Sequence, residues 1–203
     1  MLAAEIEAQI ATLATRYGAP RRLVETIDGW PFLPLNQGDR YGEVCMVIRR
    51  PNGRLLTAIK TFYPTGAFRL LTGGVEHGEA IADALLREVQ EETSLDTLVR
   101  RFLAVVEYQL AQPAAAGSSE LKFATFAFLL DEIGGTLAVQ DPNERLAAFH
   151  EITIDELPTL AAQLAAITDG YDQEIDGRWS DWGRFRAVAH RAVYAALREY
   201  DGR

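Results

Sequence analysis

The stretch from Gly73 to Leu95, reading G-G-V-E-H-G-E-A-I-A-D-A-L-L-R-E-V-Q-E-E-T-S-L, limits what this chain can fold into more than any other. A glycine pair opens it. From Glu79 to about Thr93 the apolar residues fall at helical spacing, and Ala82, Leu85, Leu86 and Val89 read as the side that packs on a core. Glu88, Glu91 and Glu92 are three and four residues apart, so on a helix they share one face, about a third of a turn from the apolar side. Like charges at that spacing repel by roughly 0.2–0.5 kcal/mol per pair. An oxygen-loving cation such as Mg2+ relieves the repulsion. The helix is therefore expected to pack on a core and to present carboxylates to a cleft.

The flanking sequence supplies alternating and buried strand patterns. Glu43–Arg50 and Leu55–Thr61 are strands joined by P-N-G, a hairpin signal, and a short strand is expected near Leu23–Thr26. Arg101–Leu110 and Leu121–Leu130 read as further strands, separated by the small, polar segment A-Q-P-A-A-A-G-S-S-E, a loop suited to covering a pocket. A G-G turn at 134–135 precedes a short strand at Thr136–Val139, and a strand-like segment follows Glu144. Thr153 or Asp155 caps a helix that continues through Ile167. Helices are also expected at residues 2–17, with Leu2, Ile6, Ile10 and Leu13 on one side, and at Asp181–Tyr200. The length of 203 residues, 48% of them hydrophobic, suffices for one domain over 1–203, with a core at about 40–160 and a C-terminal helical extension at about 165–203. The N-terminal helix packs on this domain or forms a homodimer contact.

The net charge of −9 argues against nucleic acid or an anionic membrane as partner, but not against a small phosphorylated substrate whose charge a metal ion neutralises. No apolar run approaches the ~20 residues of a membrane helix. The N-terminus lacks a basic leader, so a cytoplasmic protein is expected. Cys45, the single cysteine, reads as a small buried hydrophobe.

Gly73, Glu79, Arg87-Glu88-Val89-x-Glu91-Glu92 and Ser94-Leu95 stand at the spacings of the Nudix box, and the chain resembles that family over about residues 40–160. One position departs: the last glycine of the box is Ser94 here. Glycine would end the helix in a left-handed conformation, which costs serine about 1 kcal/mol unless the cap changes. The resemblance implies an α/β fold, an α/β/α sandwich with a mixed β-sheet, to which N-terminal and C-terminal helices are added. It implies a hydrolase that cleaves a diphosphate linkage with Mg2+ or Mn2+ as cofactor. It assigns metal binding to Glu88, Glu91 and Glu92, helped by the carbonyl of Gly73, and makes Glu79 and Arg87 an orienting pair.

The chemistry of the residues agrees. A diphosphate is anionic and resists attack by water, and cations held by carboxylates neutralise and polarise it. A turn at Gly73 and Gly74 lets backbone approach metal or phosphate closely. A further carboxylate outside the box is expected as ligand or base: Glu144, because the passage from Asn143 to Leu157 resembles the family's, or Glu120 in the flexible loop. Arg69 is the basic residue best placed to reach a phosphate. The histidines and Trp179, Trp182 and Phe185 read as structural. ADP-ribose or a nucleotide sugar is the expected substrate class. A nucleoside triphosphate, or a catalytically idle module that only binds a ligand, are the alternatives.

Overall fold

The computed structural model describes residues 2–27, 32, 35, 38–111 and 123–201. In chain order the elements are α1 (Ala4–Tyr17), β1 (Arg21–Ile27), β2 (Arg40–Arg49), β3 (Leu55–Lys60), β4 (Arg69–Glu76), α2 (Ile81–Thr93), β5 (Leu95–Leu110) and β6 (Phe123–Gly135). A 3-10 turn (Pro142–Glu144), β7 (Leu146–Ile152), α3 (Leu157–Ala165), a small β8–β9 pair (Tyr171–Asp172, Gly177–Arg178) and α4 (Trp179–Asp201) complete the chain. Seven strands form one mixed sheet in the order β1-β5-β6-β2-β4-β3-β7. The β1–β5 and β2–β6 pairs are parallel, and β5–β6 and β2–β4 are antiparallel.

Alternation along the strands builds two cores, one on each face of the sheet. On one side Val44, Met46 and Ile48 pack with Ile10 and Leu13 of α1 and Ile81, Leu85 and Val89 of α2. On the other, Cys45 and Val47 pack with Leu157 and Leu160 of α3 and Trp182, Phe185 and Val193 of α4. The result is the expected α/β/α sandwich with helices added at both ends. Burial pushes the Cys45 thiol up to about 12, which leaves it inert.

Three local expectations are corrected. Gly73 and Gly74 do not form a turn: they lie inside β4, opposite Val44 and Glu43 of β2. The turn before α2 is made by Gly78, at φ +85°. Leu86 is 53% exposed, while Ile81, Ala84, Leu85, Glu88, Val89 and Glu92 form the buried stripe of α2. Burial thus takes in two of the carboxylates and leaves Leu86 outside. Thr136–Val139 forms no strand. Its backbone is used instead to satisfy the free carbonyls at the end of α2, since Ala138 N–H donates to Thr93 O at 3.0 Å and Gln140 N–H to Glu91 O at 2.9 Å.

Capping also explains the ends of the helices. Ala80 has no side chain that can cap α2, and Gln9 of α1 substitutes, its Oε1 accepting from Ile81 N–H at 2.9 Å. Ser94 takes the left-handed conformation that glycine would favour, φ 54° and ψ 20°, and donates its N–H to Gln90 O at 3.0 Å. Thr153 opens the next helical segment through a capping box with Glu156.

Candidate active site

Gly73 of β4 lies directly against the Glu88 side chain of α2. A Cβ on Gly73 would stand 1.8 Å from Cδ of Glu88. The missing side chain is the space that the Glu88 carboxylate fills. Arg87 fixes the same contact from the other direction. Its Nε and Nη2 donate to the two carboxylate oxygens of Glu79 at 2.9 and 3.0 Å, and Nη2 also donates to Gly74 O at 2.9 Å. Nη1 donates to Glu88 Oε1 at 2.8 Å and to Glu91 Oε2 at 3.0 Å. Glu79 in turn accepts from Glu76 N–H at 3.1 Å. One guanidinium therefore ties helix, strand and turn together, and its hydrogen bonds hold the Glu79 carboxyl below the usual range.

The cap at the end of α2 carries the third partner into place. Gln140 and Asp141 both donate backbone N–H to Glu91 O, which anchors the segment leading into the Pro142–Glu144 turn. Lys60 at the end of β3 holds the turn itself, with Nζ 2.8 Å from Glu144 Oε2. The consequence is a cluster in which carboxylate oxygens of Glu88, Glu92 and Glu144 lie within 4.8 Å of one another.

The electrostatics of this cluster are unbalanced. Glu92 is 0% exposed, and among the described residues neither of its carboxylate oxygens has a hydrogen-bond partner. A buried anion without partners is costly, and burial pushes the Glu92 carboxyl up to about 8. Burial also raises Glu88, against the lowering effect of Arg87. Three oxygen donors, two of them desolvated and one wholly unpartnered, fit a hard divalent cation. An open cleft of about 240 Å³ over Gly73, Gly74, Glu88 and Glu144 leads to them, flanked by Arg40 and Lys60.

Glu88, Glu92 and Glu144 thus come together, with Gly73 and Gly74 beneath and Glu79 and Arg87 as a bonded pair beside them. Glu91, 34% exposed at its side chain, faces Arg87 instead of this cluster. Arg69 is buried at the far side of the same cleft system, its Nε donating to Tyr63 OH at 3.1 Å. Glu120 lies outside the described residues. Two residues that sequence reasoning passed over also line that cleft: Glu43, among strand residues, and Arg186, on the last helix. They are 143 positions apart and meet at 2.6 Å, fully buried. The only signal in sequence was a charged residue inside each of two otherwise apolar patterns.

Residues 40–171 match the NUDIX domain family. Over 125 residues the chain is 32% identical to an ADP-ribose pyrophosphatase of Methanocaldococcus jannaschii, a match that covers 62% of this chain and 69% of that protein. It is 30% identical over 125 residues to the NAD-capped RNA hydrolase NudC of Vibrio atlanticus, covering 59% of this chain but 43% of that protein. The crystal structure of a UDP-X diphosphatase shares the fold, with a TM-score of 0.50 at 16% identity over 83% of this chain and 68% of that one. With this match spanning six of the seven strands of the sheet, α2 and the carboxylate cluster, the chain belongs to the NUDIX family of hydrolases.

Proposed function

We propose that the protein is a Mg2+-dependent hydrolase of the diphosphate linkage in a nucleoside diphosphate joined to a second moiety, such as ADP-ribose or a nucleotide sugar. The observation that carries this reading is the convergence of Glu88, Glu92 and Glu144 within 4.8 Å, with both oxygens of Glu92 buried and unpartnered. ADP-ribose and NAD, for which the two sequence relatives are named, both contain a diphosphate bridging two larger halves.

Glu88, Glu92 and Glu144 would hold the cation, and Glu91 would have to give up its bond to Arg87 to join them. Such a cation neutralises diphosphate oxygens and makes phosphorus more electrophilic. The chain's own residues do the rest. Arg87 fixes the Glu88 carboxylate through Oε1, and Glu79 fixes Arg87. Gly73 and Gly74 line the open cleft in which a diphosphate would lie, beside Arg40 and Lys60. Glu144 is the most open of the three carboxylates, 21% exposed at its side chain, and Lys60 orients it. As a base instead of a ligand, it would accept the proton of the attacking water.

The test is turnover of ADP-ribose, nucleotide sugars, dinucleotides and nucleoside triphosphates by the purified protein with Mg2+. The expected result is hydrolysis of at least one diphosphate-bridged compound, reduced by at least about 100-fold in Glu92→Gln, since even outer partners of metal ligands are worth 10–100-fold. No turnover of any compound would contradict the reading.

A further inference from the structure

The cleft over the carboxylates does not end at the glycine pair. It continues past Thr72 into a second open space of about 370 Å³, whose far wall is made by Tyr63, Arg69, Trp182 and Arg186. Trp182 and Arg186 belong to α4, which begins after the NUDIX match ends at residue 171. Helix α4 is fastened to the sheet at this place. His190 Nε2 accepts from Leu70 N–H at 2.9 Å, while its Nδ1–H donates to Arg186 O at 2.7 Å.

Two guanidiniums are buried here, Arg69 at 2% and Arg186 at 5% exposure. Among the described residues Arg186 is ion-paired and Arg69 is not. Arg186 Nη1 donates to Glu43 Oε2 at 2.6 Å, while Glu43 Oε1 accepts from Thr125 at 2.9 Å. Arg186 Nε is buried without a hydrogen-bond partner among the described residues. Arg69 donates only to neutral oxygens, Tyr63 OH and Leu70 O. Glu92 and Glu43 act on Arg69 through space, but among the described residues no carboxylate lies within ion-pair distance of it. A cation buried in this way, at the wall of an open cleft, is matched to an anion that arrives from outside.

Building on the diphosphate reading, we infer that Arg69 and Arg186 form a subsite for a second anionic group of the substrate, a phosphate or carboxylate carried by the moiety beyond the scissile diphosphate. Helix α4 is then a specificity element rather than a packing extension. Tyr63 and Trp182, with ring centroids 4.7 Å apart, wall the subsite and exclude water around the guanidiniums.

Calorimetric titration of the metal-free protein tests this with two matched pairs of probes. Pyrophosphate against tripolyphosphate adds one phosphate, and UDP-glucose against UDP-glucuronate adds one carboxylate. The wild type should bind the more anionic member of at least one pair about 10-fold more tightly, and the pair that responds identifies the group. In Arg69→Met, and in the double variant Glu43→Gln/Arg186→Met that removes both charges of that ion pair together, the preference should fall to within about twofold. Melting curves confirm that each variant is folded, and either folded variant suffices. The inference is overturned if the wild type shows no preference or binds none of the probes. Loss of affinity by an equal factor for both members of a pair also overturns it, because that places the arginines on the diphosphate itself. Since binding is read without metal or turnover, these outcomes are independent of the hydrolysis assay.

Discussion

Two glutamates of this protein are buried on either side of the glycine strand, and they are treated in opposite ways. Glu43 is 2% exposed and satisfied by Arg186 and Thr125. Glu92 is 0% exposed and, among the described residues, has no partner for either oxygen. The first is a charge absorbed into the structure, and the second a charge held ready for something the fold does not itself provide. Desolvation is comparable at both, so it is the partner that separates a structural carboxylate from a ligand.

The sharpest break between the two is in pH dependence. Glu92 has a folded value of about 8 against an unfolded value of 4.5. Below pH 4.5 both states hold the proton and there is no penalty. As pH rises to 8 only the folded state keeps it, so unfolding releases a proton and stability falls, by up to about 5 kcal/mol. Urea denaturation of the metal-free protein at pH 5 and pH 8 checks this, and Glu92→Gln should flatten the difference. An unchanged slope in that variant would show that Glu92 is not the group responsible.

Glu43 should respond to truncation rather than to pH. Glu43→Ala leaves the Arg186 guanidinium buried and unpaired, and the expected cost is about 3–5 kcal/mol in urea denaturation. A loss below 1 kcal/mol would mean that Arg186 escapes to solvent and that the pair does not fasten α4.

His190 gives the smallest effect, with the opposite sign to Glu92. Burial lowers it from 6.5 to about 4, and its bond to Leu70 N–H requires the neutral ring. Above pH 6.5 neither state is protonated. As pH falls towards 4 the unfolded chain takes up the proton first, and about 3 kcal/mol of stability is lost. Glutamine at position 190 should remove this acid limb from a stability profile measured between pH 4 and 7.

The same comparison marks what the sequence made legible. Local spacing displayed Glu88, Glu91 and Glu92 because a helix converts separations of three and four into one face, and the resemblance to the Nudix box added Glu79 and Arg87. Long-range pairing left no such trace. Nothing local shows that Arg87 turns Glu91 away from the cluster, or that Thr136–Val139 caps α2 and so carries Glu144 to Glu88. The contact of Glu43 with Arg186 exists only after β2 and α4 have packed. Gly73 was read as a turn because glycine most often relaxes φ, whereas here it makes room for a carboxylate.

The most direct test of the account is calorimetric titration of Mg2+ into metal-free protein at pH 6.5, in two buffers of different ionisation enthalpy. Binding should be accompanied by release of about one proton, because Glu92 must lose its proton to coordinate, and both signals should vanish in Glu92→Gln. Absence of Mg2+ binding, or binding that Glu92→Gln leaves intact, would contradict the assignment of Glu88, Glu92 and Glu144 as the metal site.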